Sequence, residues 1–163
     1  MRSSILKSFL CLALLAAFAH GQQPEPATTQ VVNTAVPQDK DSQATVYIYR
    51  YKQFVGSALS PSVYCDENEL ARMDNGKFFV AKLAPGKHVF RSNDKQAGID
   101  SELKAGQDYY IRVELATGFA KGHGRLVSVA PEQGSYEIKN LKPLGADKVK
   151  DAGRVVPVNL ERK

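Results

Sequence analysis

Between Val63 and Arg91 (VYCDENELARMDNGKFFVAKLAPGKHVFR) the chain punctuates itself too often to form anything longer than short strands. Asp74-Asn75-Gly76 supplies residues that tolerate positive φ, the requirement of a tight hairpin turn. Ala84-Pro85-Gly86 pairs a residue of fixed φ with one free to take either hand, so a second reversal is expected there. Lys77 to Leu83, held between them, is too short for a good helix and rich in strand formers. The stretch therefore predicts an all-β scaffold.

The flanking segments extend the pattern. Thr45 to Tyr51 (TVYIYRY) alternates, with Val46, Ile48 and Arg50 on one side and Tyr47, Tyr49 and Tyr51 on the other. Both faces are bulky, which suits a strand covered on its second side as well as its first. Tyr109 to Leu115 alternates most cleanly: Tyr109, Ile111, Val113 and Leu115 inward, Tyr110, Arg112 and Glu114 outward. Arg125 to Val129 is expected to pair with it across the glycine-rich loop Gly118 to Gly124. Further strands are expected at Val63–Cys65, Leu70–Met73, Lys87–Arg91, Ile99–Leu103 and Ser135–Leu141. No segment shows the length and 3.6-residue apolar period of a helix. About seven or eight mostly antiparallel strands at such spacing imply a small β-sandwich.

The chain has 163 residues, and the sandwich is assigned to residues 44–144. Residues 1–21 have the layout of a secretory signal peptide: Arg2 and Lys7, an apolar run from Ser8 to Ala19, then small residues. Cleavage after Ala19 or Gly21 would leave small residues at the cut, and Gly21 is preferred. Cys11 lies in the middle of the apolar run, where no lipid-modified cysteine would stand, so an exported, periplasmic or extracellular protein without lipid anchor or membrane span is expected. Residues 22–43 carry three prolines and no aromatic residue and predict a disordered linker. Residues 145–163 are charged and unperiodic and predict a tail, although Val155-Val156-Pro157-Val158 could add an edge segment.

Of 22 Lys and Arg, Arg2 and Lys7 fall within the first 21 residues, which leaves a mild basic surplus over 17 acidic residues. This is no nucleic-acid signature. Cys65 is then the single cysteine of the exported chain, so packing rather than a disulfide must stabilise it.

Val46-Tyr47-Ile48-Tyr49-Arg50, Val63-Tyr64-Cys65-Asp66, Gly76-Lys77-Phe78-Phe79, Ala84-Pro85-Gly86-Lys87-His88 and Ala105-Gly106-Gln107-Asp108-Tyr109-Tyr110-Ile111 together resemble a bacterial family of unknown function, number 2846. The Pro-Gly-x-His turn also resembles PEGA and transthyretin-like modules. The resemblance covers about Ala44 to Leu144. It implies a small β-sandwich in secreted proteins or lipoproteins and carries over no catalytic residue.

The residues themselves point the same way. Cys65, His88 and His123 lack metal-ligand spacing, and a zinc site would have to be assembled from distant strands. Neither metal nor cofactor is expected, and His88 reads as a structural imidazole. Asp66-Glu67-Asn68-Glu69 lacks the later ligands of a calcium loop. Cys65 and His88 could pair as nucleophile and base, but a lone strand cysteine is more often a small packed hydrophobe with an inert thiol. No G-x-S-x-G elbow exists, and the glycines at 118, 122 and 124 fit no phosphate loop.

The reading favoured is a non-enzymatic binding module for a protein, peptide or envelope surface. A structural accessory domain and a hydrolase or carbohydrate-active enzyme are the alternatives. Tyr47, Tyr49, Tyr51, Tyr110 and Arg112 are the candidate binding face, because Tyr and Arg combine contact area with polar ends. The competing expectation is that these tyrosines are covered.

Overall fold

In the computed structural model, which describes residues 42–93, 97–115 and 124–158, the short strands assemble into two sheets. In chain order they are β1 (Ala44–Tyr49), β2 (Ser62–Cys65), β3 (Asn68–Arg72), β4 (Lys77–Leu83), β5 (Gly86–Arg91), β6 (Gly98–Leu103), β7 (Asp108–Leu115) and β8 (Gly124–Val129). A helix α1 (Pro131–Glu137) follows, then two stubs, β9 (Lys142–Pro143) and β10 (Val155–Val156). One sheet runs β10-β4-β1-β7-β8, with β9 also on β4; the other runs β3-β2-β5-β6. β1 is antiparallel to β4 and parallel to β7. The expected all-β sandwich, mostly antiparallel, is what forms. All described residues belong to the unit Val36–Lys163.

The core lies between the sheets. Val46, Ile48, Phe79, Ala81, Ile111 and Val113 cluster with Val63, Cys65, Leu70, Phe90 and Leu103, all nearly or fully buried. These are the inward residues of the alternating segments, so the period-2 pattern carries directly into packing.

Both expected hairpin turns of the Val63–Arg91 stretch do something else. Asp74–Gly76 joins β3 in one sheet to β4 in the other, and Ala84-Pro85 carries β4 back to β5 in the first. The turn residues provide the tight geometry, but β4 takes β1 as its partner because its apolar residues fit the opposite sheet. The β2–β3, β5–β6 and β7–β8 pairs are the hairpins.

The segment Ser135–Leu141 is not a strand. It falls in α1 and a following 3-10 turn, Ile138–Asn140. Pro131 stands at the helix start, where its missing N–H costs nothing, and Glu132 lies in the first turn. Gly134 allows α1 to lie flat on β7: a Cβ there would stand 2.3 Å from Cγ of Tyr110.

The expected tail also folds, as far as residue 158. Val149 bridges Ala71 on β3, the amide of Lys150 donates to the carbonyl of Leu70 at 2.9 Å, and Val155 pairs with Ala81 on β4. The segment thus laces β3 of one sheet to β4 of the other. Asp147 and Lys150 are exposed while Val155 is buried among charged neighbours, which is why composition alone suggested a tail. The expected signal peptide and nearly all of the linker, residues 1–41, lie outside the described residues, as do residues 116–123 with His123. Among the described residues no helix is long and apolar enough to cross a membrane.

Two glycine replacements test this architecture. Gly86 has φ 132° with open space around it, so Gly86→Val should cost about 1–3 kcal/mol through backbone strain alone, read as a lower denaturant midpoint. Gly134→Ala should lower the midpoint for a different reason, displacement of α1 from Tyr110, and an unchanged near-ultraviolet tyrosine signal would contradict it.

Candidate functional site

The five residues expected to form a binding face do come together, but under cover. On the outer face of the β1-containing sheet, Tyr49, Phe78, Val80, Tyr110, Val129 and Leu141 make a second apolar layer, with Tyr47, Tyr51 and Ile138 packed against it. Tyr49 is fully buried and Tyr110 nearly so. Tyr47 stacks on Tyr110 with ring centroids 4.8 Å apart. The outward orientation is as expected; the open face is not, because α1 and the following turn lie across it.

Glu137 at the end of α1 is the polar anchor of this layer. Tyr49 donates its hydroxyl to Glu137, Gln133 Nε2 donates at 2.6 Å, and Arg112 Nη1 lies 3.2 Å from Oε2. Arg112 also donates to Glu114 at 2.8 Å and sits over the Tyr51 ring at 5.4 Å. Burial alone would raise the Glu137 carboxyl, but hydrogen bonds from Tyr49, Tyr51, Gln133 and Arg112 outweigh it and pull its pKa down to about 2. Burial, with Glu137 next, pushes the Tyr49 hydroxyl the other way, so it stays protonated as a donor. This network docks α1 on the sheet.

Among the described residues the two most exposed large apolar side chains stand in the connection from β1 to β2, with Tyr136 on α1 close behind. Phe54 is 96% exposed and Val55 73% exposed. The loop that presents them is tightly held. Arg50, 1% exposed, donates Nη1 to the carbonyl of Leu59 at 2.5 Å and Nη2 to that of Gly56 at 2.8 Å. Asn75 pairs with the backbone of Gln53 in both directions, at 2.8 and 2.7 Å. Ser60 donates to Asp74 at 2.5 Å. Burying a guanidinium is costly unless it is hydrogen-bonded, and here loop carbonyls take both terminal nitrogens, leaving only Nε without a partner, so burying Arg50 fixes the loop. Nothing in the alternation of TVYIYRY signals this; only the position of Arg50 on the Val46–Ile48 face hints at it.

A second constellation stands on the other sheet. Cys65 ends β2 opposite Phe90 of β5, and His88 lies two residues before Phe90 on the same face. His88 Nδ1 is 3.0 Å from Asp66 Oδ2 and 3.7 Å from Cys65 Sγ, and Sγ is 3.6 Å from Oδ2. The remaining ring nitrogen, Nε2, donates to the carbonyl of Ala84 at 2.9 Å. Asp66 Oδ1 accepts the amide of Val89 at 3.1 Å. Burial first, and then the neighbouring Asp66, push the Cys65 thiol up to about 12. For Asp66 burial acts upward, but the Val89 amide and His88 outweigh it and hold the carboxyl below its ordinary value. As expected, Cys65 is a buried free thiol. An apolar groove of about 450 Å³, lined in part by Phe78, Pro143, Leu144, Val149 and Val158, runs beside β4.

Two sheets packed on a common core, with a helix sealing one outer face, define a small all-β domain of the sandwich type. Residues 40–125 match the family described as Protein of unknown function (DUF2846), and the chain belongs to that family. The match takes in the Phe54 loop and the Cys65–Asp66–His88 group, whereas α1 and the C-terminal lacing lie beyond it. An uncharacterized protein of Haemophilus influenzae (strain ATCC 51907 / DSM 11121 / KW20 / Rd) is 27% identical over 142 residues, 86% of this chain and 82% of that protein. No solved structure matches the chain.

The helix-docking network has a pH signature. A carboxyl held down in the folded state contributes stability above its unfolded pKa and loses it as pH falls through the folded value. For Glu137 that window runs from 4.5 down to about 2. Glu137→Gln should therefore be less stable than the parent at neutral pH, with the gap narrowing through this window. Urea midpoints measured across it check the expectation; parallel curves would refute it.

Proposed function

We propose that this protein is an exported, non-enzymatic binding module of the bacterial envelope, and that it grips a protein partner through the Phe54–Val55 loop. The observation that carries the reading is a large aromatic side chain almost wholly in water on a loop with little freedom left to lose. Single exposed apolar residues are ordinary on protein surfaces. Here, however, the ordering entropy that binding would otherwise cost has already been met by Arg50 and Asn75, and preorganisation of this kind turns contact area into affinity. Phe54 and Val55 would fill a pocket on the partner, with Lys52 and Gln53 at the rim.

Export is supported by the arrangement of residues 1–21, and a tether of residues 22–43 would let the module reach its partner. The tyrosine face is the weaker candidate, since it would have to shed α1 to become available.

The test is Phe54→Ser, with Val55→Ser beside it. Both side chains are exposed, so the melting temperature should stay within about a degree of the parent, as surface replacements away from structural features usually change stability little. Capture of envelope proteins by the immobilised domain should fall at least about tenfold, the equivalent of one buried aromatic anchor. Capture unchanged in both variants would sink the reading. Loss of binding to lipid vesicles without loss of any protein partner would point to a membrane surface instead and would also overturn it.

A further inference from the structure

We propose that Cys65, Asp66 and His88 form a binding site for a borderline-soft divalent cation, zinc above all, with the remaining coordination position open to solvent. The argument starts from the three separations between ligand atoms, 3.7 Å for Sγ to Nδ1, 3.6 Å for Sγ to Oδ2 and 3.0 Å for Nδ1 to Oδ2. Tetrahedral zinc, with Zn–S near 2.3 Å and Zn–N or Zn–O near 2.0–2.1 Å, places its ligand atoms roughly 3.3–3.6 Å apart. Three corners of such a tetrahedron are therefore already in place to within a few tenths of an ångström, and no backbone movement is needed to close them on a cation.

The surroundings orient the imidazole and the carboxylate toward the thiol, while the thiol itself is held protonated by burial and gives up its proton only on binding. His88 gives its Nε2 proton to the carbonyl of Ala84, which leaves Nδ1 as the nitrogen facing Sγ and Oδ2. That is the outer-shell arrangement that orients metal-bound imidazoles. The carboxylate is steered in the same way, its Oδ1 being held by the amide of Val89 while Oδ2 turns to the group. The backbone at Asp66 is also unusual: with φ 56° it is the one non-glycine residue at positive φ among the described residues. The two-residue turn between β2 and β3 accounts for that conformation, which Asp tolerates.

Charge and access fit as well. Thiolate and carboxylate together balance a divalent cation. Asp151 and Arg154, which flank the thiol, are paired with each other at 3.5 Å and oppose one another in sign. Cys65 is fully buried, His88 is 15% exposed at its side chain and Asp66 42%, so the group opens toward water through its carboxylate. Binding is substitution without redox change. The Sγ proton and the proton shared by Nδ1 and Asp66 Oδ2 leave to solvent, the cation sheds water, and Sγ, Nδ1 and Oδ2 each contribute a lone pair. A mixed sulfur, nitrogen and oxygen set selects zinc over magnesium or calcium, which take oxygen ligands.

The experiment uses the protein without an affinity tag, titrated with Zn²⁺ by calorimetry and with Co²⁺ by absorption. One cation per chain and a thiolate-to-cobalt charge-transfer band are expected. Because Cys65 is a core residue, the decisive variants are Asp66→Asn, which tolerates the same positive φ, and His88→Gln. Each should weaken Zn²⁺ binding by more than about tenfold and abolish the cobalt band, with unfolding in chelator close to the parent's. Absence of the band in the parent, or Zn²⁺ affinity unchanged in either variant, overturns the proposal. In the second case the cation would be held elsewhere on the chain.

Discussion

β1 is apolar and aromatic on both faces, and both faces must leave water. Val46 and Ile48 on one side and Tyr49 on the other are all at 0% exposure. A two-sheet sandwich buries only the inner side of each strand, so this strand needs a third layer. The second sheet takes the Val46 side, and α1 with the turn after it takes the tyrosine side. Central placement of β1, between β4 and β7, follows from the same need, since an edge position would leave part of both faces wet. The helix is short and would not persist alone. It is retained because Gly134 lets it touch Tyr110 and because Glu137 meets donors from two strands and its own previous turn.

The same double burial explains where sequence reading succeeded and where it failed. Inward alternation at Val46–Ile48 and Ile111–Val113 was legible because a period of two needs no tertiary information. The outward set was legible as a list of residues but not as an environment. Tyr49, Tyr110 and Arg112 look alike whether they face a partner or a helix of their own chain. The helix escaped notice because Tyr136 and Ile138 also alternate with charged residues over a short span, and tertiary contact, not propensity, settles so brief a segment. Pro131 followed by Glu132 was the available signal. The C-terminal lacing was hidden for a related reason. Val149 and Val155 are isolated among charges, yet each meets a sheet edge that would otherwise stand open.

The Cys65–Asp66–His88 group was invisible in spacing because two strands, β3 and β4, intervene between β2 and β5 in the chain. The turn at Asp74–Gly76 and the Pro85-Gly86 reversal send β4 to the other sheet, and only that excursion lets β5 return beside β2. Read as hairpins, the same turns would have placed His88 away from Cys65. Cys65 and His88 were weighed as a pair and Asp66 only as part of a turn, because turn chemistry fixes where the chain bends, and burial decides to which neighbour it bends.

The two proposed sites sit on separate supports, and this matters for how function is assigned. Phe54 and Val55 depend on Arg50, which extends β1 in one sheet, and on Asn75 in the crossing turn. Cys65, Asp66 and His88 depend on β2 and β5 in the other sheet and on backbone groups of Ala84 and Val89. No hydrogen bond or ion pair described for one set involves a residue of the other. Substitutions in one should therefore leave the other's geometry standing, as expected for independent sites without shared partners. If the cation braced the sandwich and nothing more, removing it would lower stability while leaving partner capture by Phe54 intact. If the open coordination position were itself part of the partner's contact, capture would fall with Asp66→Asn although the loop was untouched. A double-mutant cycle between Phe54 and Asp66 on partner affinity separates the two: additive losses mean a structural ion and a separate grip, and coupled losses mean a single composite surface.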